Sequence, residues 1–181
     1  MRRKLFFWEL GGFLFTGALG TLLHFVYEWS GQSALAAWFS AVNESTWEHM
    51  KLLFVPLFLF TLVQLCFMGR TESNLLAVRS VSALTGLALI PVLYYTYTGA
   101  LGLHLLWADI VIFFLADLVL FWLDYRLLSR GRCFAGWQQL LGAAALWALA
   151  FCFVWCTFRP PALPMWQSPE TGVEAFLVRE P

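Results

Sequence analysis

The sequence predicts an all-α, polytopic membrane protein with five transmembrane helices, and three observations carry that reading. The 181-residue chain is 61% hydrophobic and 18% aromatic but only 12% charged, whereas a soluble domain is closer to half apolar. Its apolar residues gather into five runs, each close to the ~20 residues that cross a hydrocarbon core. Its charges sum to zero yet are distributed unevenly between alternate loops, as the positive-inside rule requires.

The runs cover about 5–29, 50–69, 75–98, 103–124 and 134–158. The first follows "MRRK", a start that also suits a secretory signal peptide. Its apolar stretch outlasts the ~7–15 residues of such a peptide and carries Leu23, Phe25 and Tyr27 near its end, so it reads as an uncleaved helix. Residues 31–42, "GQSALAAWFSAV", are too few to span and too apolar for a free loop. A short interfacial or re-entrant helix is expected there. The second run begins inside a polar stretch, "AVNESTWEHMKLLF". The third contains Pro91, which removes a backbone donor and invites a kink.

The fourth run carries Asp117 with no basic residue at its depth. Ser80, Ser82 or Thr85 of the third run would serve as hydrogen-bond partners, and Asp124 is expected to pair with Arg126 at the interface. The fifth run supplies small residues at Gly142, Ala145 and Ala148, which favour close helix packing. Residues 1–158 therefore form a single membrane domain. The prolines after Phe158 end the last helix and leave 159–181 as an extended, extracytoplasmic tail, with Trp166 suited to the headgroup level.

With the N-terminus in the cytoplasm, Arg2, Arg3, Lys4, Arg70, Arg79, Arg126, Arg130 and Arg132 fall inside, and Lys51, Arg159 and Arg179 outside. This predicts an N-in, C-out, multi-pass protein of the plasma membrane. Its required partner is the lipid bilayer. No basic cluster suggests nucleic acid, and no Gly-rich loop suggests a nucleotide. Of the four cysteines, Cys66 and Cys133 lie near the cytoplasmic side, while Cys152 and Cys156 share a face of the last helix. They read as small hydrophobes more than as a disulfide framework.

The polar stretch has a structural explanation for part of its content. "STWE" fits a capping box, with Ser45 as N-cap, Glu48 returning to its backbone N–H, and Asn43 as an alternative cap. Glu44, His49 and Lys51 are left over. His24 and Glu28 stand i,i+4 at the end of the first run, and His104 and Asp109 open the fourth. Under the predicted topology all three histidines gather at the outer face. Ionisable groups at membrane depth cost a few kcal/mol unless they pair or meet water, so a shared hydrated pocket is expected. His24, Glu28, His49, His104 and Asp109 are competent ligands for zinc or another divalent metal, with Glu44 or Glu48 as a general base.

Two elements also carry a resemblance. "HFVYEWS", His24 to Ser30, and "NESTWEHMKL", Asn43 to Leu52, resemble a family of small, uncharacterised polytopic membrane proteins from Firmicute-type bacteria. That family's motifs are His-Phe-x-Tyr-x-Trp-Ser and Asn-Glu-Ser-x-Trp-Glu-His-x-Lys-Leu, and the resemblance implies no established activity. A looser similarity to ceramidase-like zinc hydrolases stops short, since this chain has five expected spans in place of seven and no paired histidines on a late helix. Three functions stay open from the residues: a metal-dependent membrane hydrolase acting on a lipid-like substrate, a small-solute or ion transporter component, and a structural or partner-binding protein in which the motif only caps a helix.

Overall fold

The apolar runs fold into five helices long and apolar enough to cross a membrane. They are α1 (Arg2–Trp29), α2 (Thr46–Met68), α3 (Leu75–Leu101), α4 (Leu106–Ser129) and α5 (Gly136–Phe158). The computed structural model describes residues 2–69, 71–131 and 136–168. Arg70, Arg132, Cys133 and Arg179 lie outside the described residues. The central helices are α2 and α3, each 56% buried over its most apolar window against 28% or less for the others. Against this pair, α1 packs on α2 and α4, α4 on α3 and α1, and α5 on α3 and α2.

Lipid is as apolar as leucine, so close backbone approach and packing must hold such helices together. Gly20 and Gly142 provide it. A Cβ on Gly20 would lie 2.7 Å from the Leu52 carbonyl oxygen, and one on Gly142 2.6 Å from that of Leu76. These two contacts seat α1 on α2 and α5 on α3. Phe54, Leu57, Leu87, Leu120 and Phe153 fill the space between the helices.

One end of the bundle holds the end of α1, the start of α2, the end of α3, the start of α4 and the end of α5; we call it the motif end. There, α3 stops where Gly102 takes a left-handed conformation with φ 67°, which glycine adopts without steric cost. The fourth helix consequently begins at Leu106, three residues later than expected. Both Pro56 and Pro91 sit inside helices that continue through them.

Residues 31–42 form no α-helix. They hold a single 3-10 turn, Ala36–Trp38, with Ala36 and Ala37 buried and Trp38 exposed. The segment is stapled to α1 instead. The Ser40 hydroxyl donates to the Leu23 carbonyl at 2.6 Å and accepts the Tyr27 N–H at 2.9 Å. Leu23 and Tyr27 are the two ends of one i→i−4 helix bond, so Ser40 inserts into the ladder at the turn that carries His24. The start of the tail is not extended either. Pro164–Trp166 forms a turn that sets Trp166 against Trp47, ring centroids 4.8 Å apart.

Arg79 is not a loop-flanking residue. It is fully buried and joins three helices. One guanidinium nitrogen lies 2.5 Å from Asp124 and another 3.3 Å from Glu9. The second also donates to Gln64, whose amide in turn donates to Glu9 at 2.7 Å. The rings of Phe121 and Phe60 lie 5.0 and 5.9 Å from the guanidinium carbon. Asp124 thus pairs across the core with Arg79, while Arg126 lies over the Trp122 ring. Asp117 is equally buried, and neither of its oxygens has a hydrogen-bond partner among the described residues. Of the expected serine and threonine partners, Ser80 donates instead to Ala77 and Thr85 to Val81, and Ser82 lies beside Asp124.

Candidate functional site

The polar stretch before α2 divides its residues between two jobs. Ser45 caps the helix, its hydroxyl accepting the Glu48 N–H at 3.3 Å, which satisfies one of the orphan donors of the first turn. The reciprocal half of the capping box is absent. The Ser45 N–H is taken by the Asn43 side chain at 3.0 Å, an Asx turn that orients the intervening Glu44. Glu48 is 2% exposed and makes an ion pair of 2.5 Å with Lys51. It also accepts the Val42 N–H and the Thr157 hydroxyl. Lys51 completes this clamp by donating to the Ala37 carbonyl and the Thr157 hydroxyl. Glu48 and Lys51 therefore bind the 3-10 turn, α2 and α5 together, and neither lines the cavity at the motif end.

Glu44 and His49 do line that cavity, with His24, His104, Asp109 and Tyr94. Its volume is about 440 Å³. On one side His24 Nε2 lies 3.5 Å from one Glu44 oxygen and His49 Nε2 3.6 Å from the other. One ligand atom from each of the three residues falls within 4.8 Å of the others. A tetrahedral ion at about 2.0–2.2 Å from its ligands sets ligand–ligand edges of about 3.3–3.6 Å. Each histidine meets that edge with a different Glu44 oxygen, so binding through one oxygen requires the three ligand atoms, now within 4.8 Å of one another, to draw closer.

The orientation of His49 is fixed by its own helix. Its Nδ1 lies 2.9 Å from the Ser45 carbonyl oxygen. A carbonyl can only accept, so Nδ1 carries a proton, and in the neutral ring the Nε2 lone pair is left on the Glu44 side. Backbone carbonyls commonly orient metal-binding histidines in this way. His24 is 29% and Glu44 52% exposed at the side chain. At such exposure ion pairs contribute little to stability, so folding alone does not account for the convergence.

Across the cavity stands a second group. His104 Nε2 is 2.5 Å from Asp109, and the Tyr97 hydroxyl donates to the other Asp109 oxygen at 2.7 Å. With Nε2–H donated to the carboxylate, His104 Nδ1 keeps a lone pair, the tautomer a general base needs. Tyr97 fixes Asp109, and Asp109 fixes the imidazole.

Of the residues singled out from the sequence, the structure thus brings His24, His49, His104, Asp109 and Glu44 to one cavity. Glu28 is exposed and lines neither this cavity nor its neighbour; Glu44 takes the place beside His24. Cys152 and Cys156 approach to 4.0 Å between sulfurs, away from the cavity lining. Sequence reasoning missed the Glu9–Gln64–Arg79–Asp124 network. Its signal was opposite charges one to two turns from the starts of α1 and α3 and from the end of α4.

A bundle of five helices long and apolar enough to cross a membrane, with a histidine–glutamate cluster at one end, is the class these features define. The chain belongs to the family of unknown function DUF6512, which it matches over residues 3–175. No curated protein and no solved structure matches it.

Proposed function

We propose that His24, Glu44 and His49 hold a divalent metal of the zinc type in a hydrolase site open to the outside of the plasma membrane. The observation that carries this reading is the His49 Nδ1–Ser45 carbonyl bond at 2.9 Å, which aims a free imidazole lone pair at a carboxylate already facing a second histidine. Two histidines and a glutamate form the ligand set of catalytic zinc sites that keep a fourth position open. When bound, such an ion acts as a Lewis acid and lowers the pKa of a water molecule to about 7. The chain's own residues supply the rest. His104, held by Asp109 and Tyr97, accepts a proton from the attacking water and returns it to the leaving oxygen. The cavity walls orient the substrate.

A transporter reading would draw on Asp117, buried midway along α4. Asp117 does not line the cavity, whereas the ligand set does, and the hydrolase reading is preferred.

The cap and the ligand make opposite predictions. Ser45→Ala is expected to cost about 0.5–2 kcal/mol of stability while protein that folds keeps its metal, because the carbonyl that orients His49 is untouched. His49→Ala is expected to lose bound zinc with little change in melting temperature. Metal analysis of the purified variants beside wild type decides between them. A zinc content unchanged by His49→Ala would remove the site.

The outward orientation has its own test. With the native cysteines replaced, Ser33→Cys should react with a membrane-impermeant thiol reagent on intact cells, and Ser129→Cys only after lysis. The reverse pattern would put the site in the cytoplasm.

A further inference from the structure

Beside the polar cavity lies a second void of about 380 Å³ between α1 and α4. The two share His24, Glu44, His49 and Asp109 in their linings, so they form one continuous space with a polar and an apolar part. Thr21 and Phe25 of α1 and Ile110 and Phe114 of α4 border the apolar part. Its rim is open: Phe25 is 44%, Ile110 52% and Phe114 40% exposed. These residues lie on faces of spanning helices, where the surrounding medium is hydrocarbon. From His24 to Thr21, or from Asp109 to Phe114, the groove descends about 5–8 Å at 1.5 Å per residue.

We propose, resting on the hydrolase reading above, that the substrate is a lipid of the surrounding bilayer that enters sideways between α1 and α4. Its chain lies in the apolar groove, and its ester or phosphoester group reaches His24, Glu44 and His49. A soluble substrate would need only the polar cavity. A lateral opening that ends on the ligating side chains serves a molecule with a polar head and an apolar chain. In the reaction, the oxygen of one water adds to the acyl carbon or to phosphorus. The ester C–O or P–O bond breaks, and the departing oxygen takes a proton, so no redox partner is consumed.

The test uses full-length protein loaded with zinc in nanodiscs of dioleoyl phosphatidylglycerol, with products read by mass spectrometry. Lysophosphatidylglycerol would show cleavage of the carboxylic ester; diacylglycerol or phosphatidic acid would show cleavage at phosphorus. Ile110→Trp and Thr21→Trp, both at exposed positions, narrow the groove. Each should lower turnover by about tenfold or more with zinc content unchanged, whereas Leu140→Trp on the lipid-facing side of α5 should leave it unaltered. Zinc-loaded protein that yields none of these products overturns the lipid assignment, as does turnover indifferent to both groove variants. Absence of zinc from wild type would instead defeat the underlying hydrolase reading. A benzoylphenylalanine at Ile110 should give a lipid adduct in cells; a protein adduct there would mean that the groove seats a partner helix and would also overturn the proposal.

Discussion

Arg79→Leu is expected to leave almost no folded protein. The substitution removes the only cation that reaches Glu9 and Asp124 among the described residues, and both carboxylates are nearly or fully buried. Removing one partner of a buried ion pair costs about 3–5 kcal/mol, because the other charge stays behind uncompensated. Here two carboxylates and the Gln64 carbonyl lose their donor together. Arg79→Lys should recover only part of the loss, since an ammonium lacks the planar fork that spans Asp124 and Glu9. Size-exclusion profiles and thermal melts in detergent would show the order wild type, then lysine, then leucine. Equal melting temperatures for wild type and Arg79→Leu would mean that the network does not hold the bundle.

Lys51→Met should be the next most damaging change, and it acts at the other end. Glu48, 2% exposed, would keep the Thr157 hydroxyl and the Val42 N–H but lose its cation, again at about 3–5 kcal/mol. The Ala37 carbonyl would lose its donor as well, so the 3-10 turn would loosen from α2. A double-mutant cycle tests this account. Lys51→Met combined with Glu48→Gln should be more stable than Lys51→Met alone, since the residual charge is gone, with a coupling within about 0.5–3 kcal/mol. Additive effects of the two substitutions would deny the clamp. Loosening the turn should also weaken zinc binding, because the loop that carries Glu44 follows it.

These two networks show where the sequence was legible and where it was not. Apolar run length located all five helices, because a helix in lipid must satisfy its own backbone over the full thickness of the core. The Ser45 cap was readable from its spacing, and it moved the start of α2 to Thr46. Arg79 and Asp124 were not placed correctly because linear proximity to loops made them look like interface residues. The depth of a charge depends on which helix faces meet, and Arg79 meets α1, α2 and α4 at once. Lys51, left unexplained by the cap, was illegible for a related reason, since its partners Ala37 and Thr157 come from distant segments.

The candidate site was legible in its residue types more than in its membership. Histidines at the ends of α1 and the starts of α2 and α4 had to share one end of the bundle. The i,i+4 spacing of His24 and Glu28 suggested one ligating pair, yet Glu28 lies one turn nearer the end of the helix and stays exposed. The carboxylate beside His24 comes from the loop instead, folded inward by the Asn43 turn and by the Ser40 staple on α1. Helix periodicity has no means of showing such a loop placement. Asp109 likewise takes its partner Tyr97 from the end of α3, a pairing between helices that spacing along one of them does not show.

X-ray absorption at the zinc edge, on purified protein loaded with one equivalent of zinc, tests the central claim most directly. The account predicts a shell of light nitrogen and oxygen ligands at about 2.0–2.2 Å, with the outer-shell signature of two imidazoles, and loss of one imidazole in His49→Ala. A sulfur shell at about 2.3 Å would place the metal on cysteine, and a six-oxygen shell without imidazole would mean a hydrated ion on the surface. Either result would contradict a His24–Glu44–His49 centre.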